Sequence, residues 1–205
     1  MARLRRSHGI LAKRVRRFRR SYAARHSAPP APNLLNRDFT AERPNRVWAT
    51  DITFVPTRRG WLYVAVMIDL FSRRIVGWAM SNRIDQQLVL DALQMAITQR
   101  YPEPGLIHHS DQGQQYAGST YRAALNEHAI IQSMSRKGNC LDNAVAESFF
   151  SSLKNELVHH ILFEDRDEAR SAIFDYLEVF YNRQRIHQSL GFKSPVNFEA
   201  MAGVA

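Results

Sequence analysis

Three features of this sequence predict an α/β fold built on a mixed sheet. Between Val47 and Met80 three strand-like runs follow one another with turns of only a few residues, as in an antiparallel meander. From Asp85 onward helical patterns alternate with short apolar runs, which requires crossover connections and suits parallel pairing. Ahead of both lies a stretch too basic to belong to the same core.

That asymmetry bounds what the protein does. The 205 residues make one domain of ordinary size with an appendage, and 45% hydrophobic content is enough for a core. The net charge of +9 is concentrated at the front: residues 1–26 hold ten Lys/Arg and no acid, leaving 18 basic against 19 acidic residues in the remainder. Such an arm attracts a phosphate backbone through counterion release, without reading sequence. Arg14, Arg16, Arg17, Arg19 and Arg20 are its densest part. A solubilising tail or an RNA binder has the same composition, so nucleic acid in general is the partner class at this point. The lone Cys140 excludes intrachain disulfides and cysteine-rich zinc sites. No apolar run is long enough for a bilayer, so a cytoplasmic protein without a membrane partner is expected.

Taken in order, residues 1–9 have helical character ending at Gly9. Ala28-Pro29-Pro30-Ala31-Pro32-Asn33 reads as a stiff extended linker, and the folded body is expected from residue 46 to residue 205. Residues 1–45 are thus arm and linker. Val47 to Val55 alternates, with Trp48, Thr50, Ile52 and Phe54 on one face and Ala49, Asp51, Thr53 and Val55 on the other. Thr57-Arg58-Arg59-Gly60 turns the chain. Trp61 to Leu70 is a continuous apolar strand broken only by Asp69, and Arg74 to Met80 is a third. Asp85 to Arg100 is helical, Leu106 to Ser110 is a short buried strand, Ser119 to His128 is a second helix and Ile130 to Met134 a fifth strand. A helix carrying Leu141, Val145, Phe149 and Leu153 on one face follows, then a long one from Asp167 to Asn182, and an irregular tail that includes Leu190 to Pro195.

The helix that follows the Lys137-Gly138-Asn139 loop carries Asn143, Glu147 and Lys154 in line on its polar side. A solvated stripe on any amphipathic helix has the same spacing. Two other carboxylates alter the balance. Asp51 sits mid-strand between the small residues Ala49 and Thr53, and Asp111 ends a buried strand, where ligands usually bind in an open α/β sheet. Three carboxylates brought together repel and raise one another's pKa. Their natural counter-charge is a pair of hard divalent cations, which in turn favour phosphoryl oxygens.

The motifs around these acids resemble those of retroviral integrases and bacterial insertion-sequence transposases. They are most similar to the second-frame product of two-frame insertion sequences. The stretches that carry the resemblance are Trp48-Ala49-Thr50-Asp51-Ile52-Thr53, His109-Ser110-Asp111-Gln112-Gly113-Gln114-Gln115-Tyr116, Asp142-Asn143-Ala144 with Glu147-Ser148-Phe149-Phe150, and Tyr181-Asn182-Arg183-Gln184-Arg185-Ile186-His187. Thirty-five residues separate Asp111 from Glu147, and Lys154 falls where the family keeps a basic residue.

The resemblance covers about residues 33–198 and implies a ribonuclease-H-like fold with strand order 3-2-1-4-5. It implies Asp51, Asp111 and Glu147 as a catalytic triad holding two Mg²⁺, with Mn²⁺ as a substitute. The implied reaction is phosphodiester hydrolysis at an element's end, followed by attack of the freed 3′-OH on target DNA. Lys154, Arg185, Asn143 and the arginines of the arm are the expected contacts to double-stranded DNA, and a homo-oligomer is expected because two ends must be paired. At the front the resemblance departs. Family members carry a helix-turn-helix ahead of the core, and residues 1–9 match only its last helix, so a partner or fusion from an upstream frame is expected to supply the rest.

A nuclease on the same fold, cutting without joining, and a catalytically idle DNA-binding relic are the two other readings. Asp69 stands as a rival carboxylate of open role, and Asp142 as a residue of the helix N-cap region. The pairs His108-His109 and His159-His160 lack partner spacing for a metal and read as packing or surface residues.

Overall fold

The computed structural model describes residues 29–203, so the basic arm, with Arg14, Arg16, Arg17, Arg19 and Arg20 and the helix expected over residues 1–9, lies outside the described residues. Its sheet has the order β3-β2-β1-β4-β5. Strands β1 (Val47–Thr57), β2 (Gly60–Asp69) and β3 (Ile75–Ser81) form the antiparallel meander. Strands β4 (Ile107–Ser110) and β5 (Ile131–Met134) join it in parallel. Each half therefore pairs as its connection lengths dictate: short turns force reversal, helical crossovers restore direction.

The helices are α1 (Gln86–Arg100), α2 (Gln114–Ala117), α3 (Ser119–Glu127), α4 (Ala144–Glu156), α5 (Arg166–Phe174) and α6 (Pro195–Met201). They cover both faces of the sheet. On one, Trp48, Met67 and Val76 pack against Leu88, Val89 and Leu93 of α1, with Tyr116, Tyr121 and Leu125 beyond. On the other, Val55, Leu62, Val64, Val66 and Ile68 meet Phe149, Phe150 and Leu153 of α4, Ile173 of α5 and Tyr181. Strand β2 is apolar from Leu62 to Ile68 because both of its faces are covered there. The approach of α1 to β3 is close enough that a Cβ at Gly77 would run into the carbonyl of Ala92 and the side chain of Ala96.

Helix α4 departs from its expected form. The chain forms a tight 3₁₀ turn over Cys140–Asn143, and the α-helix starts only at Ala144. Leu141 is consequently exposed, and the buried face is Ala146, Phe149, Phe150 and Leu153. The long helix after Asp165 is α-helical only to Phe174 and widens into a π-helix over Asp175–Tyr181. The wider turn hands over to Asn182, whose amide accepts from the Ile75 N–H and donates to the Ile75 carbonyl at the edge of β3. Helix α6 replaces part of the expected tail, with the Ser194 hydroxyl accepting from Asn197 N–H and Pro195 in its first turn. Among the described residues no helix is long and apolar enough to cross a membrane.

Candidate active site

The register of two parallel strands places the first two acids. Val47, Trp48 and Ala49 of β1 lie opposite Ile107, His108 and His109 of β4. Two residues further along both strands come Asp51 and Asp111, at the same level and just past the end of the pairing. Neighbouring strands run about 4.8 Å apart, so the carboxylates emerge side by side. Asp111 is then fixed by the turn it begins, with its Oδ1 accepting from Gly113 N–H at 2.9 Å. A Cβ at Gly113 would meet the Gln115 side-chain amide first and, at 2.9 Å, that same oxygen.

Glu147 arrives from the other layer, in the first turn of α4. The start of this helix is stitched to β1 by Asn143, whose buried amide donates to the Thr50 carbonyl at 3.1 Å. Thr50 lies one residue beyond the last β1 partner of β4, where the ladder has ended.

The electrostatics of Asp51 record the convergence. Burial of the carboxyl, although the residue keeps some surface open to solvent, acts together with the charges of Asp111 and then Glu147. These push its pKa up to about 8, against the Ile52 N–H bond and the positive charge of Lys154. Asp111 affects it more than Glu147 does, so the two strand carboxylates are the tighter pair. Among the described residues no three His, Cys, Asp or Glu side chains close into a ready metal cage. The donor set nevertheless suits a hard divalent cation: oxygen ligands only, mutual repulsion, and a desolvated carboxyl whose charged form lacks sufficient compensation.

Around the acids, Lys154 stands with its ammonium 4.7 Å from the Phe54 ring centroid. Beneath them the buried Tyr116 hydroxyl lies 3.3 Å from Thr50 Oγ1. Burial and the charges of Asp51 and Asp111 hold that phenol's pKa well above its usual value, so it remains a neutral donor. Tyr116 was visible only as the end of the Asp111 motif. Its role as the floor of the site depends on helix α2, a single turn too short to show periodicity.

Other expected site residues lie elsewhere. Arg185 is braced against the end of α4, donating to Glu156 at 2.7–3.0 Å and to Ser152 Oγ at 3.2 Å. Burial opposes it, yet Arg185 and Tyr176 keep the Glu156 carboxyl below its ordinary range. Asn143 turns inward onto β1, as described. Asp142 does not cap helix amides: its carboxylate receives Arg136, Arg37 and Asn33. Asp69 sits in a different cluster, accepting from Asn45 and Phe71 N–H groups. His108 and His109 are buried packing residues, bonded to Tyr121 and to Ser133 respectively.

Known proteins match both the motifs and the fold. The integrase core domain matches residues 41–140, and a second integrase core domain pattern matches residues 147–202. An insertion element IS600 31 kDa protein of Shigella sonnei is 48% identical over 97% of this chain and 73% of its own length. The transposase of insertion sequence element IS904 of Lactococcus lactis is 47% identical, over 93% of this chain and 76% of the relative. Transposase InsF of insertion sequence IS3A of Escherichia coli is 48% identical, over 95% and 67%.

Solved structures of similar fold include a chain of the simian T-cell lymphotropic virus intasome in complex with a PP2A regulatory subunit. It has a TM-score of 0.66 and 19% identity, over 85% of this chain and 59% of that one. The HTLV-2 integrase catalytic core in complex with magnesium has a TM-score of 0.59 and 16% identity, over 77% and 98%. With sheet order, motif spacing and relatives in agreement, this chain belongs to the integrase-core family, as a transposase of the bacterial insertion-sequence kind.

Proposed function

We propose that Asp51, Asp111 and Glu147 are the catalytic carboxylates of a polynucleotidyl transferase that cuts and joins DNA at the ends of a mobile element. The observation that carries the reading is the state of Asp51: a carboxyl raised to about 8 by burial and by the charges of Asp111 and Glu147, with the positive charge of Lys154 opposing them. Such an arrangement destabilises the protein alone and becomes favourable only with positive charge between the acids. The three residues would hold two Mg²⁺ or Mn²⁺, which supply Lewis-acid activation and charge neutralisation for in-line phosphoryl displacement. The structural relative in complex with magnesium supports this by analogy of fold.

The protein's own groups then have distinct tasks. Asp51 and Asp111 present oxygens from the rigid strand layer, while Glu147 faces them from a helix, so the reacting phosphate lies between two layers. Asp51 must give up its proton when the site is loaded, which makes loading pH-dependent. Lys154 adds a cation on the helix of Glu147, suited to a DNA phosphate. Arg185 acts by bracing α4. The arm, with Arg14, Arg16, Arg17, Arg19 and Arg20, contributes sequence-independent affinity for the duplex. Pairing of two element ends calls for a homo-oligomer on DNA, and a helix-turn-helix partner or fusion would add end recognition.

The deciding experiment is a strand-joining assay with Mg²⁺ or Mn²⁺ on labelled duplexes made from the gene's own flanks, with Glu147→Gln as control. Joined products that vanish in the variant are expected. Cutting without joining would favour the nuclease reading, and joining retained in the variant would overturn the triad.

A further inference from the structure

We infer that Asp142 positions Glu147 by tying the loop ahead of α4 to the linker that follows the basic arm. The inference rests on the proposed role of Glu147 and adds a mechanical connection between the DNA-binding arm and the site. Its basis is a hydrogen-bonded knot around the Asp142 carboxylate.

The Asp142 side chain is fully buried, yet all its partners come from outside the helix it precedes. Its Oδ2 accepts from the Arg136 N–H at 3.0 Å, from Arg136 Nε at 2.8 Å and from Asn33 Nδ2 at 3.0 Å. Its Oδ1 accepts from Arg136 Nη2 at 2.8 Å and Arg37 Nε at 3.1 Å. Two of those residues belong to the linker, more than a hundred positions away in sequence. Asn33 is itself held in shape, its Oδ1 accepting from the Leu35 and Asn36 N–H groups at 3.1 and 3.0 Å.

A second path runs from the linker to the backbone of the same residue. Leu34 N–H donates to Ser133 Oγ at 3.0 Å, and Ser133 Oγ lies 2.8 Å from His109 Nδ1. His109 Nε2 lies 2.8 Å from the Asp142 carbonyl. A carbonyl can only accept, so Nε2 carries the ring proton and Ser133 donates to Nδ1. The relay is satisfied throughout by one neutral tautomer.

Both ends of Asp142, carboxylate and carbonyl, are thus attached to the linker. The next residue, Asn143, is attached to Thr50 beside Asp51, and Glu147 follows one turn later. The 3₁₀ turn over Cys140–Asn143 is the geometry this attachment imposes. Removing one partner of a buried, multiply bonded charge is costly, so the knot fixes its surroundings strongly. A pull on the linker reaches the third carboxylate through two short paths.

The test uses the full chain in three forms: wild type, Asp142→Asn, and the double variant Asn33→Ala with Arg37→Ala. The double variant touches only linker side chains outside the core. Hydrogen exchange followed by mass spectrometry should show amides of residues 139–147 exchanging at least tenfold faster in both variants, with β1–β3 unchanged. Mn²⁺ titration followed by electron paramagnetic resonance should show half-saturation rising at least fivefold. Affinity for a labelled duplex without divalent ions should stay within twofold. Combining all three substitutions should be no worse than Asp142→Asn alone, because one connection is being cut.

Exchange at 139–147 that stays at wild-type rates overturns the inference. So does a rise spread over the whole sheet, which would mark general loss of stability. If wild type neither takes up Mn²⁺ nor joins DNA, the catalytic reading fails by itself, while the exchange pattern still decides whether the linker holds this turn.

Discussion

Two groups of carboxylates lie along the β1–β2 ribbon, one buried and paired with arginines, the other partly exposed and crowded by like charge. Asp69 pairs across the ribbon with Trp48, only three residues from Asp51 in the neighbouring strand, or about 10 Å along it. Around Asp69 the charges are answered. Glu199 of α6 accepts from Arg74 at 2.7 Å and from both ends of the Arg100 fork at 2.9 and 3.0 Å, with Ser72 Oγ at 2.8 Å. Arg100 Nη2 also stands 3.9 Å from Asp69. Around Asp51, burial and the like charges of Asp111 and Glu147 raise the carboxyl's pKa, against the positive charge of Lys154. On the proposed reading of the site, the like charge gathered around Asp51 is what a bound divalent cation would offset. The first cluster serves cohesion, and the second is the one proposed to serve chemistry.

The largest effect expected from this contrast is on activity. Asp51→Asn or Glu147→Gln should lower strand joining roughly a thousandfold or more, the scale of losing a charge-stabilising group. Duplex binding in the absence of divalent ions should be nearly unchanged. Measured side by side, joining that survives would erase the distinction between the clusters. Next comes stability. Glu199→Ala leaves Arg100 buried without its main partner and should cost about 3–5 kcal/mol in denaturant unfolding, while the remaining folded protein still responds to Mn²⁺. A stable Glu199→Ala protein would mean that the second cluster is not cohesive after all.

A smaller effect sharpens the comparison through pH. The Asp51 carboxyl binds its proton more tightly folded, with a pKa near 8, than at its ordinary 3.8. The folded state therefore holds the extra proton between those values, and metal-free stability falls as pH rises from about 4 to about 8. Asp51→Asn should remove that slope relative to wild type in paired thermal melts, and Mg²⁺ should offset it in wild type alone. The smallest effect belongs to a pair outside both clusters. Arg43 and Glu103 meet at 2.9 Å with both side chains more than half exposed, and Arg43→Ala should change stability by less than about 0.5 kcal/mol.

Much of this was legible before any coordinates. Strand β1 announced itself by alternation and β2 by unbroken apolarity, because each pattern reports how many faces are covered. Asp51 and Asp111 could be picked out because each sits where a strand would otherwise carry an apolar residue or a turn. What resisted reading depends on contacts between distant segments. Leu141 fits a helical period perfectly and is nonetheless exposed, since Asp142 is drawn to Arg37 and Asn33 and winds that turn more tightly. The π-helical stretch exists to deliver Asn182 to Ile75, and nothing in its local pattern says so. Helix α6 did have a signal, Ser194 followed by Pro195, which a search for helix starts would recognise. Arg185 and Asn143 looked like surface contacts because side-chain direction is settled by packing, which one sequence does not display.

Helix α6 bears on the protein's birth as well as its shape. A ribosome completes residues 1–193 before it reaches this helix, so a nascent chain has Arg74 and Arg100 in place long before Glu199 exists to receive them. Until that moment Arg74 and Arg100 lack the carboxylate they share, and the domain remains short of its final cohesion. Translation interrupted between Glu147 and Glu199 leaves fragments that contain every proposed catalytic carboxylate but lack the clasp.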